Sequence, residues 1–314
     1  MNYLLLLVGL ALITFCADML TRGCVGLAAR FNVPEFIVGL TIMAIGTSMP
    51  ELTVSVMSAL KGSSEMAIGN VTGSNLFNIL IILGLCSLLR PMDITRENIR
   101  RDIPICIGVS VLLWLFTSDT LLGWGAENKI GRLEGVVLLA LYVAVIIYSI
   151  RSSKGEGEEQ SNAPKMGVLK IVAFVIVGLC GLIYGGNLCL DSATAIARAW
   201  GVSESIIAIT IVAAGTSLPE LASSISALVS GKTSLALGNI IGSNVANILL
   251  ILGTSASITP LTMGNITQLD IVMIIIAPVI LLLSALFIGT RRITRVEGAI
   301  YVAIYVAYVV MLMK

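Results

Sequence analysis

The sequence contains no histidine. That removes the commonest zinc ligand and the usual general base, so neither a Ser–His dyad nor a histidine metal centre can be built. No paired-aspartate protease motif stands in for them, and no cofactor is expected. An enzyme is therefore set aside. Charge is scarce: 12% of residues are Asp, Glu, Lys or Arg, against about 25% in soluble domains. Six cysteines are present, Cys16, Cys24, Cys86, Cys106, Cys180 and Cys189, without a CxxC pair. They lie in apolar stretches and read as small buried hydrophobes, not as a disulfide framework. The net charge of +1 carries no signature of a nucleic-acid or protein partner.

What remains is aliphatic. Hydrophobic residues make up 57% of the chain and the mean hydropathy is +1.02. Repeated apolar runs of about 20 residues predict an all-α polytopic membrane protein whose partner is the lipid bilayer. Ten spans are read at roughly 3–28, 36–60, 64–89, 103–118, 133–150, 167–190, 205–229, 233–257, 269–288 and 296–313. The first begins at Tyr3 without a basic n-region or a small-residue cleavage site, and reads as a retained helix. The polar, glycine-rich stretch 151–166 reads as a flexible linker. It divides the chain into residues 1–150 and 167–314, five spans each.

The halves repeat. A shift of 169 residues places Glu35 on Glu204, Glu51 on Glu220, Asn78 on Asn247 and Gly84 on Gly253, with 25 identities over the 50 positions 35–84. Five spans per half send the second copy into the membrane from the opposite side, giving an inverted-topology repeat with its site at the repeat interface. Basic residues fix the orientation. Arg22, Arg30, Arg90, Arg96, Arg100, Arg101, Arg151, Lys154, Lys165, Lys170, Lys232, Arg291, Arg292 and Arg295 fall on alternate connections. Lys61, Lys129, Arg132, Arg198 and Lys314 fall on the others. The larger set predicts a cytoplasmic linker, with both termini outside the plasma (inner) membrane. Asp18 and Arg22, four apart, are expected to pair within the first helix.

The residues out of place in such a chain are Gly46-Thr47-Ser48-Met49-Pro50-Glu51 and their copy Gly215-Thr216-Ser217-Leu218-Pro219-Glu220. A carboxylate at the bilayer centre costs roughly 2.5–3.5 kcal/mol on insertion scales. Pro50 has no N–H, so the Gly46 carbonyl is expected to lose its helical partner. Each segment reads as a broken helix lining a polar cavity. The following helices carry polar stripes, Asn70, Ser74 and Asn78, and Asn239, Ser243 and Asn247. Asn70 and Asn239 read as interhelical glue. Ser74, Asn78, Ser243 and Asn247 lie deeper and read as ion contacts. A pseudo-two-fold axis would set Glu51 opposite Glu220. Two carboxylates plus carbonyls released near Ala44 to Thr47 and Ala213 to Thr216 suit a hard divalent cation, calcium before magnesium.

GTSMPEL and GTSLPEL, followed by GNVTGSNLFNILIILG and GNIIGSNVANILLILG, resemble the α-repeats of the calcium/cation antiporter superfamily, and most nearly its prokaryotic sodium/calcium exchangers. The resemblance covers nearly the whole chain. It implies an antiporter exchanging calcium for sodium by alternating access, with the second, third, seventh and eighth spans holding the ions and the first and sixth sliding. By motif position, Glu51, Glu220 and the carbonyls of Thr47 and Thr216 would hold calcium. Ala44, Thr47, Ser48, Ser74, Ala213, Thr216, Ser217 and Ser243 would line sodium sites, with Asn78 a further polar ligand. Asn247 stands where many relatives have Asp, which leaves two acidic residues at the centre. The proton-coupled exchangers carry Asn in place of the Thr-Ser pair and a histidine after the second glutamate. This chain has neither, so sodium is the expected coupling ion. A proton-coupled calcium antiporter and a passive cation channel are the alternative readings.

Overall fold

A computed structural model describes residues 2–123, 125, 127–152, 166–201, 213–288 and 291–312. Residues 153–165 of the linker and residues 205–212 of the seventh predicted span, with 202–204 before it, lie outside the described residues, as do Lys154, Lys165 and Lys314 of the orientation argument.

Described helices fall in all ten predicted spans. They are α1 (Asn2–Phe31), α2 (Glu35–Thr47, then Met49–Leu60), α3 (Ser64–Leu89), α4 (Ile103–Phe116), α5 (Arg132–Ser152) and α6 (Val168–Ala199). They continue with α7 (Ala213–Gly215, then Leu218–Val229), α8 (Thr233–Ile258), α9 (Gln268–Phe287) and α10 (Arg295–Leu312). Seven of these are long and apolar enough to cross a bilayer, and the two parts of α2 make an eighth span bent by 47°. The chain is an all-α, multi-pass membrane protein. Two two-residue ladders accompany the helices: β1 (Met92–Asp93) with β4 (Arg292–Ile293), and β2 (Lys129–Ile130) with β3 (Leu261–Thr262).

The described residues form two compact units, and each draws on both sequence repeats. The first comprises Met1–Pro50 and Ser149–Gly242. Here α1 and α6 touch backbone to backbone, through small residues used reciprocally. A Cβ on Gly9 would lie 2.7 Å from Cys189 Sγ, and one on Gly178 would lie 2.8 Å from Leu20 N. The 169-residue shift turns Gly9 into Gly178 and Leu20 into Cys189, so the contact repeats itself. The start of α2 packs as tightly on α8: a Cβ on Gly238 would overlap the Phe36 carbonyl, and one on Gly39 the Leu235 carbonyl. Small residues permit this approach, which bulkier side chains would block. Lys232 Nζ meets Glu35 Oε1 at 2.7 Å across the same contact.

The second unit comprises Glu51–Tyr148 and Ser243–Lys314. It too repeats its contacts. Gly298 of α10 lies on Gly84 of α3, where a Cβ would come within 2.6 Å of the Gly84 carbonyl. Gly135 of α5 lies on the α8 turn that holds Gly253. Ladder β1–β4 joins the connection after α3 to the one before α10, and β3–β2 joins the connection after α8 to the one before α5. Each repeat therefore pairs with the other rather than with itself.

Five cysteines are buried, whereas Cys180 is exposed on α6, which corrects the expectation for that residue. Asp18 and Arg22 form the expected pair at 2.8 Å.

Candidate ion site

Both GTS-x-PE segments break as their composition predicts. Ser48 has φ −83° and ψ 10°, and Ser217 has φ −87° and ψ 9°. This is the sparsely populated bridge region, entered at the same place in each copy. The helix restarts one residue later, with Pro50 and Pro219 in its first turn, where a missing N–H costs nothing. Glu51 and Glu220 follow immediately, also in a first turn. The unpaired N–H groups of a helix start favour a carboxylate there.

One expectation is corrected. The Gly46 carbonyl is not freed: a backbone N–H at the break bonds to it, and Ser48 N donates to the Ala44 carbonyl at 3.0 Å. The turn tightens to recover the bonds that Pro50 denies it. Ala44 stays fully buried. Ala213 begins the described part of α7, and its side chain lies outside the description.

In the first unit, Thr47, Ser48, Thr216, Ser217, Glu220 and Asn239 are all buried. Ser48 Oγ donates to Glu220 Oε1 at 2.7 Å, a charge-assisted bond. Thr47 Oγ1 donates to Asn239 Oδ1 at 3.4 Å. The Asn239 amide donates to Ser223 and Ser224 hydroxyls at 3.1 and 2.9 Å, and to the Glu220 carbonyl at 3.5 Å. Among the described residues, Glu220 Oε2 and Thr216 Oγ1 have no hydrogen-bond partner.

In the second unit, Glu51 is 1% exposed and accepts from Ser74 Oγ at 3.3 Å. The Asn70 amide donates to the Glu51 carbonyl at 3.2 Å and to Ser55 Oγ at 2.9 Å. Asn70 and Asn239 thus do one job in both copies, tying the restarted helix to the next one, as the glue reading expects. Asn78 and Asn247 are each 1% exposed. Asn78 is the second residue of a wide, π-type segment at Phe77–Ile82, and Asn247 the first of one at Asn247–Leu252, a feature frequent at functional sites. Their amide nitrogens donate to Asn244 and Asn75 side chains at 3.1 and 2.9 Å. Asn78 Oδ1, Asn247 Oδ1 and Ser243 Oγ have no partner among the described residues.

Sequence reasoning missed Asn75, Asn244, Ser55, Ser223 and Ser224. Asn75 and Asn244 lie one position off the i, i+4, i+8 stripes. Their signal was the repeated Gly-Ser-Asn triplet.

The donor set is oxygen throughout, from carboxylate, amide and hydroxyl groups. Among the described residues no three acidic, cysteine or histidine side chains cluster. Such a set favours hard cations and offers little to soft metals.

The family described as sodium/calcium exchanger protein matches residues 1–151 and 170–314. The chain belongs to the sodium/calcium exchanger family. Its relatives include Sodium/calcium exchanger MaX1 of Methanosarcina acetivorans, 30% identical over 345 residues covering 99% of this chain and 98% of that one. Inner membrane protein YrbG of Escherichia coli is 36% identical over 267 residues, covering 82% of this chain and 79% of its own. Among solved structures, the sodium-calcium exchanger NCX_Mj soaked with 2.5 mM Na+ and 0.1 mM Ca2+ is similar with a TM-score of 0.85. It shares 29% identity and covers 98% of this chain and 97% of its own. Family membership makes the chain an exchanger, and the buried oxygen donors lie in the motifs that both repeats share.

Proposed function

We propose that this chain exchanges calcium for sodium across the plasma (inner) membrane by alternating access, and that it exports calcium. Glu51 and Glu220, with the Thr47 and Thr216 carbonyls, bind calcium. Ala44, Thr47, Ser48, Ser74, Ala213, Thr216, Ser217 and Ser243 line sodium sites. Asn78 and Asn247 add neutral oxygens. The orientation proposed from the basic residues puts the linker in the cytoplasm and both termini outside, with residues 1–150 and 167–314 as inverted repeats.

The observation that carries this reading is that buried oxygens inside the repeated motifs, Glu220 Oε2, Thr216 Oγ1, Ser243 Oγ, Asn78 Oδ1 and Asn247 Oδ1, have no hydrogen-bond partner among the described residues. A buried acceptor without a donor carries its full desolvation cost, about 1–3 kcal/mol and more for a charged group. A cation removes that cost. Two carboxylates carry −2, which one calcium or two sodium ions neutralise, and a third sodium leaves +1. Loading is then mutually exclusive, and three-for-one exchange moves charge. Sodium running down its gradient drives calcium out.

The test is sodium-gradient-driven uptake of 45Ca2+ into proteoliposomes, with sodium, potassium and proton gradients imposed one at a time. A sodium gradient drives uptake in the wild type. Glu51→Gln and Glu220→Gln each abolish it. Uptake persisting in both variants overturns the site. Uptake driven by a pH gradient without sodium overturns the coupling ion, and gradient-independent flux would mark a channel.

A further inference from the structure

We propose that Asn75 and Asn244 are positioning residues that fix which end of the Asn247 and Asn78 amides faces the transported ion. The inference rests on the reading above, in which Asn78 and Asn247 contact that ion.

The two ends of an asparagine amide are nearly identical in shape and opposite in polarity. The oxygen attracts a cation and the NH2 group repels it. Inside a protein, the orientation is decided by whichever neighbour takes the other end. Asn247 Nδ2 donates to Asn75 Oδ1 at 2.9 Å, and Asn78 Nδ2 donates to Asn244 Oδ1 at 3.1 Å. Asn75 is itself held, because its Nδ2 donates to the Asn244 backbone carbonyl at 3.4 Å. That leaves Asn75 only an oxygen to present to Asn247. All four side chains are about 1% exposed and belong to one compact unit.

Two features make this more than local packing. The pairs are exchanged by the 169-residue shift, Asn75 into Asn244 and Asn78 into Asn247, so one device is used twice. The atoms left without partners among the described residues are both oxygens, Asn78 Oδ1 and Asn247 Oδ1. Were the amides turned over, the free atoms would be NH2 groups. A carboxylate at position 247 would present an oxygen whichever way it turned. An amide does so only if its nitrogen is held, so a chain with Asn247 depends on Asn75.

The experiment is equilibrium binding of 45Ca2+ to the purified full-length protein, read as a double-mutant cycle. Asn247→Ala weakens binding at least about tenfold, the loss of one ligand oxygen. Asn75→Leu matches that loss while Asn247 is present. Placed on Asn247→Asp, the same Asn75→Leu change costs less than about twofold, because either carboxylate oxygen serves. An equal loss in both backgrounds overturns the proposal, since a packing role is indifferent to the residue at 247. Wild-type binding by Asn75→Leu overturns it too. Wild-type binding by Asn247→Ala instead removes Asn247 from the site, which is the failure of the underlying reading. The cycle Asn244→Leu on Asn78 and on Asn78→Asp repeats the test if Asn75→Leu does not fold. Additive losses there overturn the proposal equally.

Discussion

Replacing Gly242 by alanine adds one methyl group at a place where the structure has no room for it. The new Cβ would lie 2.5 Å from the Leu40 carbonyl oxygen, 2.6 Å from Leu40 Cα and 2.8 Å from its carbonyl carbon. All three are backbone atoms, so no side chain can rotate away. Ordinary contact between such atoms is about 3.5 Å, so α8 and the start of α2 must separate by about 1 Å. Overpacking of this kind costs about 1–3 kcal/mol of stability. The larger consequence is geometric. Leu40 lies two turns before Thr47, and Gly242 lies one turn after Asn239. Thr47 Oγ1 and Asn239 Oδ1 are already 3.4 Å apart, and a further ~1 Å breaks the bond. Calcium accepts oxygens only between about 2.3 and 2.6 Å, so in the proposed site a shift of this size would take the Thr47 carbonyl out of range of a calcium bound by Glu220. Gly242→Ala should therefore weaken 45Ca2+ binding by about 10- to 100-fold, and slow sodium-driven uptake in parallel. Gly108→Ala is the control. Gly108 is exposed on α4 with nothing within 4 Å among the described residues, and the change favours the helix by up to about 1 kcal/mol. If Gly242→Ala binds calcium within twofold of wild type and melts at the same temperature, the argument from backbone contact to ion geometry is wrong.

Thr267→Ala removes the capping box of α9, in which Thr267 Oγ1 accepts from Asp270 N at 3.3 Å and Asp270 Oδ2 accepts from Thr267 N at 2.8 Å. It should lower stability by about 1 kcal/mol, seen as a small drop in melting temperature in detergent with 45Ca2+ affinity unchanged. Asp18→Asn breaks the Arg22 pair, which has side-chain exposures of 66% and 40%. An i, i+4 pair of this kind contributes about 0.2–0.5 kcal/mol to a helix, so uptake should stay at the wild-type rate. Loss of transport would give Asp18 a role that its geometry does not suggest.

Much of the site was legible because its residues are costly where they stand. A proline and a carboxylate inside an apolar run announce themselves, and both breaks occur where the sequence places them, at Ser48 and Ser217. The roles of Asn70 and Asn239 were legible from their depth along the stripe. Other parts were not. Pro50 marks a break, but whether Gly46 loses its bond depends on how far the turn tightens, which composition does not encode. Asn75 and Asn244 lie one position after Ser74 and Ser243, off the periodic face, and the widening of α3 and α8 from Phe77 and Asn247 turns the next asparagines away from where a regular 3.6-residue period places them. The compact units were hidden for another reason. An internal repeat says which residues are equivalent, not which are adjacent. The joining of β1 with β4 and β2 with β3, two residues each, leaves no trace in hydropathy.

The amide at position 247 links the charge of the proposed site to its architecture. A third carboxylate would add an oxygen ligand and also a negative charge, leaving the calcium-loaded site at −1. At membrane depth an uncompensated charge costs roughly 2.5–3.5 kcal/mol on insertion scales. An amide supplies the oxygen without the charge, so in the proposed site one calcium would neutralise the two glutamates, where a third carboxylate would leave −1. The amide brings its own liability, a repulsive NH2 end, and that end must be occupied elsewhere. Asn75 occupies it for Asn247, and Asn244 does so for Asn78. On this argument the residue at 247 and the residue at 75 are one choice. The change Asn247→Asp would relax the demand on position 75 and shift the balance of loaded charge by one. Asn247 with a non-accepting residue at 75 would leave the calcium site an oxygen short.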